Sequence, residues 1–466
     1  MDGPTVAAVA WSTDGTTFNY RSPVGGEVRL GGYVVLDAPP GELLGQVLSQ
    51  RSVEERGRRL VTGTGQLLDV RPGQPTFDEV AVSAAPDQLI AARLGQRGAS
   101  LELGTLRGVP DVAARLEAKG FNRHTFLCGQ SGSGKTYSLG RLLEELVLRT
   151  RLPLFVLDPN GDHVHLGRTG PDVDPTVAAA YAEAARGVQV LGAEPRDGAA
   201  PLRIRLSELG PAGVAALMQL DPIADRREYN ALLHTLRNAP DEGFASVEAA
   251  TEAFGASGDE VLELIRMRIE NLGVDRMAAW AKRSARTIVE VWEQDAPRAL
   301  IADTSSFEER RERIAVAVAV LEHLWAQRKR RRPLLLVVDE AHDVCPALPD
   351  DPLQRLAVEL FTRIAGEGRK YGIHLLLASQ RPDKLPDNVL TQCDNLLLMR
   401  VNSAADRASL ATRFAFVPSE LVELSGTFGL GETLRAGRIA PHPQLARTGP
   451  RVTPEGGADI PTDWAG

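Results

Sequence analysis

The apolar positions of this chain fall into three successive patterns. Residues 1 to about 100 carry short apolar stretches, Val28–Leu36, Leu43–Leu48 and Val80–Val82, the first two separated by Pro39, Pro40 and Gly41. Many short strands broken by glycine and proline predict a small β-barrel or sandwich, a binding or assembly module without catalytic groups. From about 101 to 204 the pattern changes to alternating strands and helices. Thr125–Cys128, Pro153–Asp158 and Gly187–Leu191 read as buried strands, and Leu139, Leu142, Leu143, Leu146 and Val147 recur at one-face helical spacing. Residues 205–297 are helical and rather polar, an inserted layer. Strands return at Ala299–Asp303, Leu334–Val338 and Ile373–Ser379, with a helix between the first two carrying Ile314, Val318, Leu321 and Trp325 on one face. Continuous apolar strands alternating with helices predict an α/β core with a parallel sheet.

Between the strand at 125–128 and its helix lies Gly129-Gln130-Ser131-Gly132-Ser133-Gly134-Lys135-Thr136, which fits G-x-x-x-x-G-K-[ST] in full. Its glycines let backbone N–H groups wrap phosphate oxygens, and the helix N-terminus adds partial positive charge. Lys135 reaches the terminal phosphates, and Thr136 offers its hydroxyl to magnesium. The strand Leu334–Val338 ends in Asp339 and Glu340. In open α/β sheets ligands bind at the carboxyl ends of strands. This places Asp339 on magnesium, directly or through water, and Glu340 on the attacking water as orienting group or base. Gln380, ending the next strand, is placed to sense the γ-phosphate. Arg369, in the loop Glu367–Gly372, acts in cis, in trans on a neighbour's ATP, or merely pairs with Glu367.

Composition narrows the class. A chain of 466 residues implies two or three domains, and no apolar run approaches a membrane span. Met1–Ala10 lacks the basic region of a secretory signal. Three well-separated cysteines, Cys128, Cys345 and Cys393, fit a reducing cytoplasm and buried packing. A net charge of −8 argues against a uniformly basic surface but leaves room for a local basic channel. The run Arg328–Arg332 reads either as a solvated helix end, where cations favour the dipole, or as a nucleic-acid contact.

With these motifs in order, the chain resembles the HerA-type ATPases, relatives of the FtsK-like DNA translocases. The resemblance rests on Asn122–His124, the phosphate loop, Leu157–Asp162, Val338–His342, Gly368–Gly372, Ala378–Pro382, Gln392–Cys393 and Met399–Asn402, and runs from about 120 to 440. It implies a RecA-like P-loop NTPase core with an N-terminal small β-barrel and a helical insertion. The expected division is 1–100 barrel, 101–204 first part of the core, 205–297 insertion, 298–436 second part, and 437–466 an extended C-terminal arm. The resemblance further implies ATP and Mg2+ as cofactors, a homo-oligomer (a hexameric ring) around double-stranded DNA, and an arginine from the neighbouring subunit. Arg369 is the first choice for that arginine and Arg123 the second. The partner implied is a nuclease of the NurA kind or another effector in phage defence. Two alternatives stand beside the translocase: a ring scaffold that uses ATP to license an effector, and a secretion ATPase at a membrane pore.

Overall fold

The computed structural model describes residues 7–39, 41–55, 57–68, 70, 72–94, 100–194, 199–238, 247–282 and 285–456. By contact density the chain divides into two units: residues 1–120, 128–135 and 395–450 form the first, and 121–127, 136–394 and 451–466 the second.

In the first unit, six strands close on themselves. Their order is Thr17–Pro23, Val9–Ser12, Phe77–Ala84, Tyr33–Ala38, Gly41–Val47 and Arg58–Leu67, which pairs back onto Thr17–Pro23. Arg51–Glu55 flanks Arg58–Leu67 on the outside of this barrel. Alternation fills the interior with Phe18, Tyr20, Leu36, Leu43, Val47 and Val82. The interior is tight enough to require glycine at position 65, where a Cβ would lie 2.1 Å from the ring of Phe18. The strand expected from Val28 begins only at Tyr33, because Gly31 takes φ +76° and turns the chain first.

The same unit holds an antiparallel sheet. The hairpin Leu101–Leu106/Val109–Leu116 pairs through its first strand with Gln444–Thr448, which pairs with Glu432–Gly437 and then with the strand containing Asn395–Leu398. This corrects two expectations. Residues 437–466 are not an extended arm over their described part, since the backbone groups of Gln444–Thr448 are used in ladders on both sides. Pro461 and the end of the tail lie outside the described residues. Residues 395–436 also group with the barrel rather than with the core strands, because from Asn395 onward the pairing is antiparallel and reaches the 101–116 hairpin. Arg435, the largest fully buried side chain among the described residues, donates to Thr433 Oγ1 at 2.8 Å and to the carbonyls of Ala114 and Leu103 at 3.4 and 3.3 Å.

The second unit is built on a sheet ordered Ala200–Pro201, Val188–Gly192, Ala299–Asp303, Leu154–Asp158, Leu334–Val338, Ile373–Ser379 and His124–Cys128. The ladders from Ala200 to Ser379 are parallel. Strands Leu154–Asp158, Leu334–Val338 and Ile373–Ser379 are buried along their whole length, as expected for a sheet covered on both faces. Helix Arg310–Ala326 buries every residue from Ile314 to Leu321. The insertion consists of helices Gly210–Leu217, Arg226–Asn238, Val247–Ala256, Glu260–Asn271 and Ile288–Asp295, its residues 239–246 lying outside the description. The fold is an α/β RecA-like P-loop core with a small N-terminal barrel and a helical insertion. Among the described residues no helix is long and apolar enough to cross a membrane.

Candidate ATP site

Strand His124–Cys128, fully buried, delivers the chain into the loop Gly129–Gly134. Gly132 and Gly134 take φ of +71° and +87°, which L side chains rarely adopt. At Gly129 a Cβ would meet Ser133 Oγ at 2.7 Å and Met399 Cβ at 2.8 Å, so the loop closes on itself only with glycine there. The segment Met399–Asn402 braces it. Gln130 N–H donates to the Arg400 carbonyl (3.0 Å), Asn402 N–H to Gln130 Oε1 (2.8 Å), and Arg400 Nη2 to the Gly132 carbonyl (2.9 Å). From the other side Gly431 N–H donates to the Ser133 carbonyl at 3.1 Å. Helix Lys135–Arg149 follows with no acidic residue in its first turn, so its positive end is left to an anion. Leu139, Leu142, Leu143, Leu146 and Val147, the face expected from spacing, are all buried.

In the second unit the carboxyl ends of three neighbouring parallel strands converge. Asp339 and Glu340 follow Leu334–Val338 and are both buried. Glu340 adopts φ 41°, a left-handed conformation that costs a non-glycine residue about 1–3 kcal/mol and persists where the surroundings fix it. Its own N–H donates to Asp339 Oδ1 at 2.8 Å. Gln380 Nε2 donates to Glu340 Oε1 at 2.7 Å. His342 Nδ1 lies 3.4 Å from Glu340 Oε2 and 3.2 Å from Ser379 Oγ. Gln380 thus reaches the proposed base directly, a neighbour that spacing did not identify.

Sequence reasoning missed the group around Asp158. This fully buried carboxylate accepts from the N–H groups of Asn160, Asp162 and His163 at 3.3, 3.1 and 2.8 Å, folding the turn after its strand. The turn sets His163 Nε2 3.6 Å from Asp339 Oδ2. Burial disfavours the His163 cation, but Asp339 and Asp158 outweigh it and raise the imidazole above its ordinary range. Thr136 Oγ1 lies 3.5 Å from Asp162 Oδ2. The signal for this turn was the strand-end aspartate followed by Pro159-Asn160-Gly161-Asp162. Thr136 and Asp339 supply hard oxygen donors, the chemistry that suits magnesium.

The two candidate arginines share one partner. Arg369 Nη1 pairs with Asp394 Oδ2 at 2.8 Å and Arg123 Nε with the same oxygen at 3.7 Å. All three are half-exposed, and Arg369 does not pair with Glu367. Arg123 precedes strand His124–Cys128 and Arg369 precedes strand Ile373–Ser379, so both sit at the amino ends of strands, whereas Glu340 and Gln380 sit at carboxyl ends. Seven residues at ~3.3 Å each put roughly 23 Å of strand between Arg369 and Gln380. Below the arginines, His124 accepts the Leu375 N–H at Nδ1 (2.9 Å) and donates from Nε2 to the Ala365 carbonyl (3.0 Å). Burial pushes this imidazole down to about 3, helped by His374 and Arg369, and His374 itself down to about 4.

Three residues of the basic run 328–332 bond within their own unit, while Lys329 and Arg331 are exposed. Arg328 stacks over Trp325, 4.4 Å from the ring centre, and donates to the Trp325 carbonyl at 2.7 Å. Arg330 and Arg332 pair with Glu293 at 2.7 and 3.5 Å.

The central-domain model of the helicase HerA family matches residues 101–336. The HerA double-strand break repair helicase of Pyrococcus furiosus is 23% identical over 425 residues, covering 78% of this chain and 72% of the relative. That of Saccharolobus solfataricus is 22% identical over 406 residues, 81% and 73% respectively. Among solved structures, VirB4 of Thermoanaerobacter pseudethanolicus superposes with a TM-score of 0.51 at 16% identity, over 76% of this chain and 97% of that one, a likeness of fold. A complete phosphate loop, strand-end carboxylates on a parallel sheet, and a family match across more than half of the chain agree: this chain belongs to the HerA helicase family of P-loop ATPases.

Proposed function

We propose that this protein is a ring-forming, magnesium-dependent ATPase that translocates on or encircles double-stranded DNA in the cytoplasm. In this reading the 1–100 barrel is an assembly domain, and the ring works with a nuclease or other effector in DNA end processing or phage defence. The observation that carries it is the Glu340–Gln380 contact of 2.7 Å, at the carboxyl ends of adjacent parallel strands, beside a strand that feeds a full phosphate loop.

Each side chain then has a task. The amides of Gly129–Gly134 and Lys135 hold the β- and γ-phosphates. Thr136 and Asp339 would hold magnesium, which would supply positive charge against the charge that builds between the phosphates. Glu340 accepts the proton of the attacking water, and Gln380 fixes the orientation of that carboxylate while reading the γ-phosphate. Asp158 and His163 position Asp339. Arg369, or Arg123, reaches the nucleotide of a neighbour from the opposite edge of the sheet.

Glu340→Gln tests the assignment. The amide keeps the shape and the Gln380 neighbour but cannot take a proton. ATP binding is retained, and turnover falls on the order of a hundredfold or more. Near-normal hydrolysis removes Glu340 from the chemistry. If hydrolysis is unaffected by duplex DNA and no DNA roadblock is displaced, while an effector is still activated with ATP, the ring is a licensing scaffold rather than a motor.

A further inference from the structure

Beside the arginine edge lies an open, largely apolar groove of about 110 Å³. Pro153, Pro333 and Tyr371, residues just before three neighbouring parallel strands, form its floor. Trp292 and Leu324 form a wall, and Arg328, Arg330 and Arg332 stand on the rim around Glu293, which pairs with the last two and leaves the rim net basic. The groove therefore sits at the amino end of the strands Leu154–Asp158, Leu334–Val338 and Ile373–Ser379.

At the carboxyl end of two of these same strands the chain raises a single apolar knob. Leu348 is 90% exposed, more than any other large hydrophobic residue described. It lies in Pro346-Ala347-Leu348-Pro349-Asp350-Asp351 and is not a loose tip. Cys345 N–H donates to the Ala341 carbonyl (2.8 Å) and Ala347 N–H to the Lys384 carbonyl (2.7 Å). Asp351 caps the next helix through the Gln354 N–H at 2.9 Å. Two prolines and these bonds hold Leu348 outward, so little further ordering is needed when it is covered. Asp350, largely exposed and 3.4 Å from the also exposed Arg310 of its own chain, stands beside it.

We infer that the Pro346–Pro349 loop of one copy seats Leu348 in the groove of the next, with Asp350 brought to the arginine rim. This rests on the ring reading above and names its contact. The occupant is a second copy of this chain, for three reasons. An apolar knob with an acidic neighbour complements an apolar groove with a basic rim. Knob and groove lie on opposite ends of the same strands, the arrangement of a head-to-tail contact, which closes into a ring when the rotation closes. Finally, Arg369 is two residues from Tyr371 of the groove, and Glu340 is on the strand end that leads to Leu348. The displacement that carries one copy's knob into the next copy's groove also carries its Glu340 towards that copy's Arg369.

The test joins Leu348→Cys to Gln327→Cys, a groove-lining position, in the full-length chain with ATP and magnesium; the three native cysteines are buried. Mild oxidation of the double variant yields a non-reducing ladder that passes beyond dimers, while neither single variant passes the dimer. Leu348→Asp lowers the sedimentation coefficient from that of the assembly towards that of the monomer. The inference is overturned if the double variant assembles and hydrolyses ATP without forming the ladder, or if a folded Leu348→Asp protein sediments like the parent. A parent chain that stays monomeric with ATP and DNA sinks the ring reading itself, and the inference with it. If Leu348→Asp fails to fold, the ladder alone decides.

Discussion

Arg369→Ala separates a structural arginine from a catalytic one, because the two predict effects of different size. As a structural residue Arg369 contributes a half-exposed ion pair, with side-chain exposures of 35% for Arg369 and 43% for Asp394. Pairs of that kind contribute ~0.2–1 kcal/mol, so the variant unfolds almost where the parent does. As an arginine supplied to a neighbour it removes on the order of a thousandfold from turnover, about 4 kcal/mol of transition-state stabilisation. The assay is steady-state ATP hydrolysis at saturating ATP, with nucleotide binding and thermal unfolding measured on the same samples. Expected are unchanged ATP binding, a small shift in unfolding, and near-complete loss of turnover. Mixing with Lys135→Ala subunits then reads the direction. A functional interface needs Lys135 on one side and Arg369 on the other, so random one-to-one mixing restores roughly a quarter of interfaces in a head-to-tail ring. An arginine acting in cis restores none. If mixed rings assemble and stay inactive, the trans role of Arg369 is refuted, and Arg123, on the same Asp394, is the next candidate. If Arg369→Ala alone keeps parental turnover, the residue is structural.

Below pH 6.5 the unfolded chain protonates His124 while the folded chain, depressed to about 3, does not; stability therefore falls as pH drops, by about 2 kcal/mol at pH 5 from this group. His124→Gln makes that slope shallower in denaturant titrations, and an unchanged slope refutes the assignment. Glu144 is fully buried and accepts from Arg451 Nε, the N–H groups of Val452 and Thr453, and Thr453 Oγ1 at 2.6–3.2 Å. Glu144→Ala leaves these donors uncompensated, costs about 3–5 kcal/mol, and exposes residues 451–456 to protease; an unaltered cleavage pattern contradicts it. Lys329→Gln with Arg331→Gln, on the edge away from the phosphate loop's strand end, leaves the salt dependence of duplex binding unchanged, whereas a shallower slope in log Kd against log salt makes these residues phosphate contacts.

The core was legible because its signals are local. Leu334–Val338 and Ile373–Ser379 are continuous apolar runs that only a doubly covered sheet explains, and eight consecutive residues spell the phosphate loop. Glu340 and Gln380 were legible as strand ends but not as a pair, since two parallel strands become neighbours only in the sheet. Gln444–Thr448 was illegible for a stronger reason: five residues among prolines carry no periodicity, and one of its two partners, Leu101–Leu106, lies far from it in the sequence. Asp394 went unnoticed because a half-exposed aspartate at a strand start is ordinary until two arginines meet on it. The basic run offered two readings by composition; Trp325, one helical turn before it, holds Arg328, and Glu293, far from it in sequence, holds Arg330 and Arg332.

A parallel sheet has two chemically different edges, and this one uses both. Its carboxyl edge gathers Asp158, Asp339, Glu340 and Gln380; its amino edge gathers Arg123, Arg369 and a neutral pair of histidines. No single subunit closes that gap, because strand Ile373–Ser379 is buried throughout and spans roughly 23 Å. In the proposed ring the same strand becomes a link between sites. Gln380 at one end touches the subunit's own Glu340, and Arg369, a few residues before the other end, faces the next nucleotide. A rearrangement of Glu340 and Gln380 when the γ-phosphate leaves can reach Arg369 only through this strand or its packing, and a close-packed strand shifts as a body rather than deforming residue by residue. In that reading, hydrolysis at one interface would bias the next in one direction around the ring, the order a machine needs if it is to move on DNA rather than merely hold it.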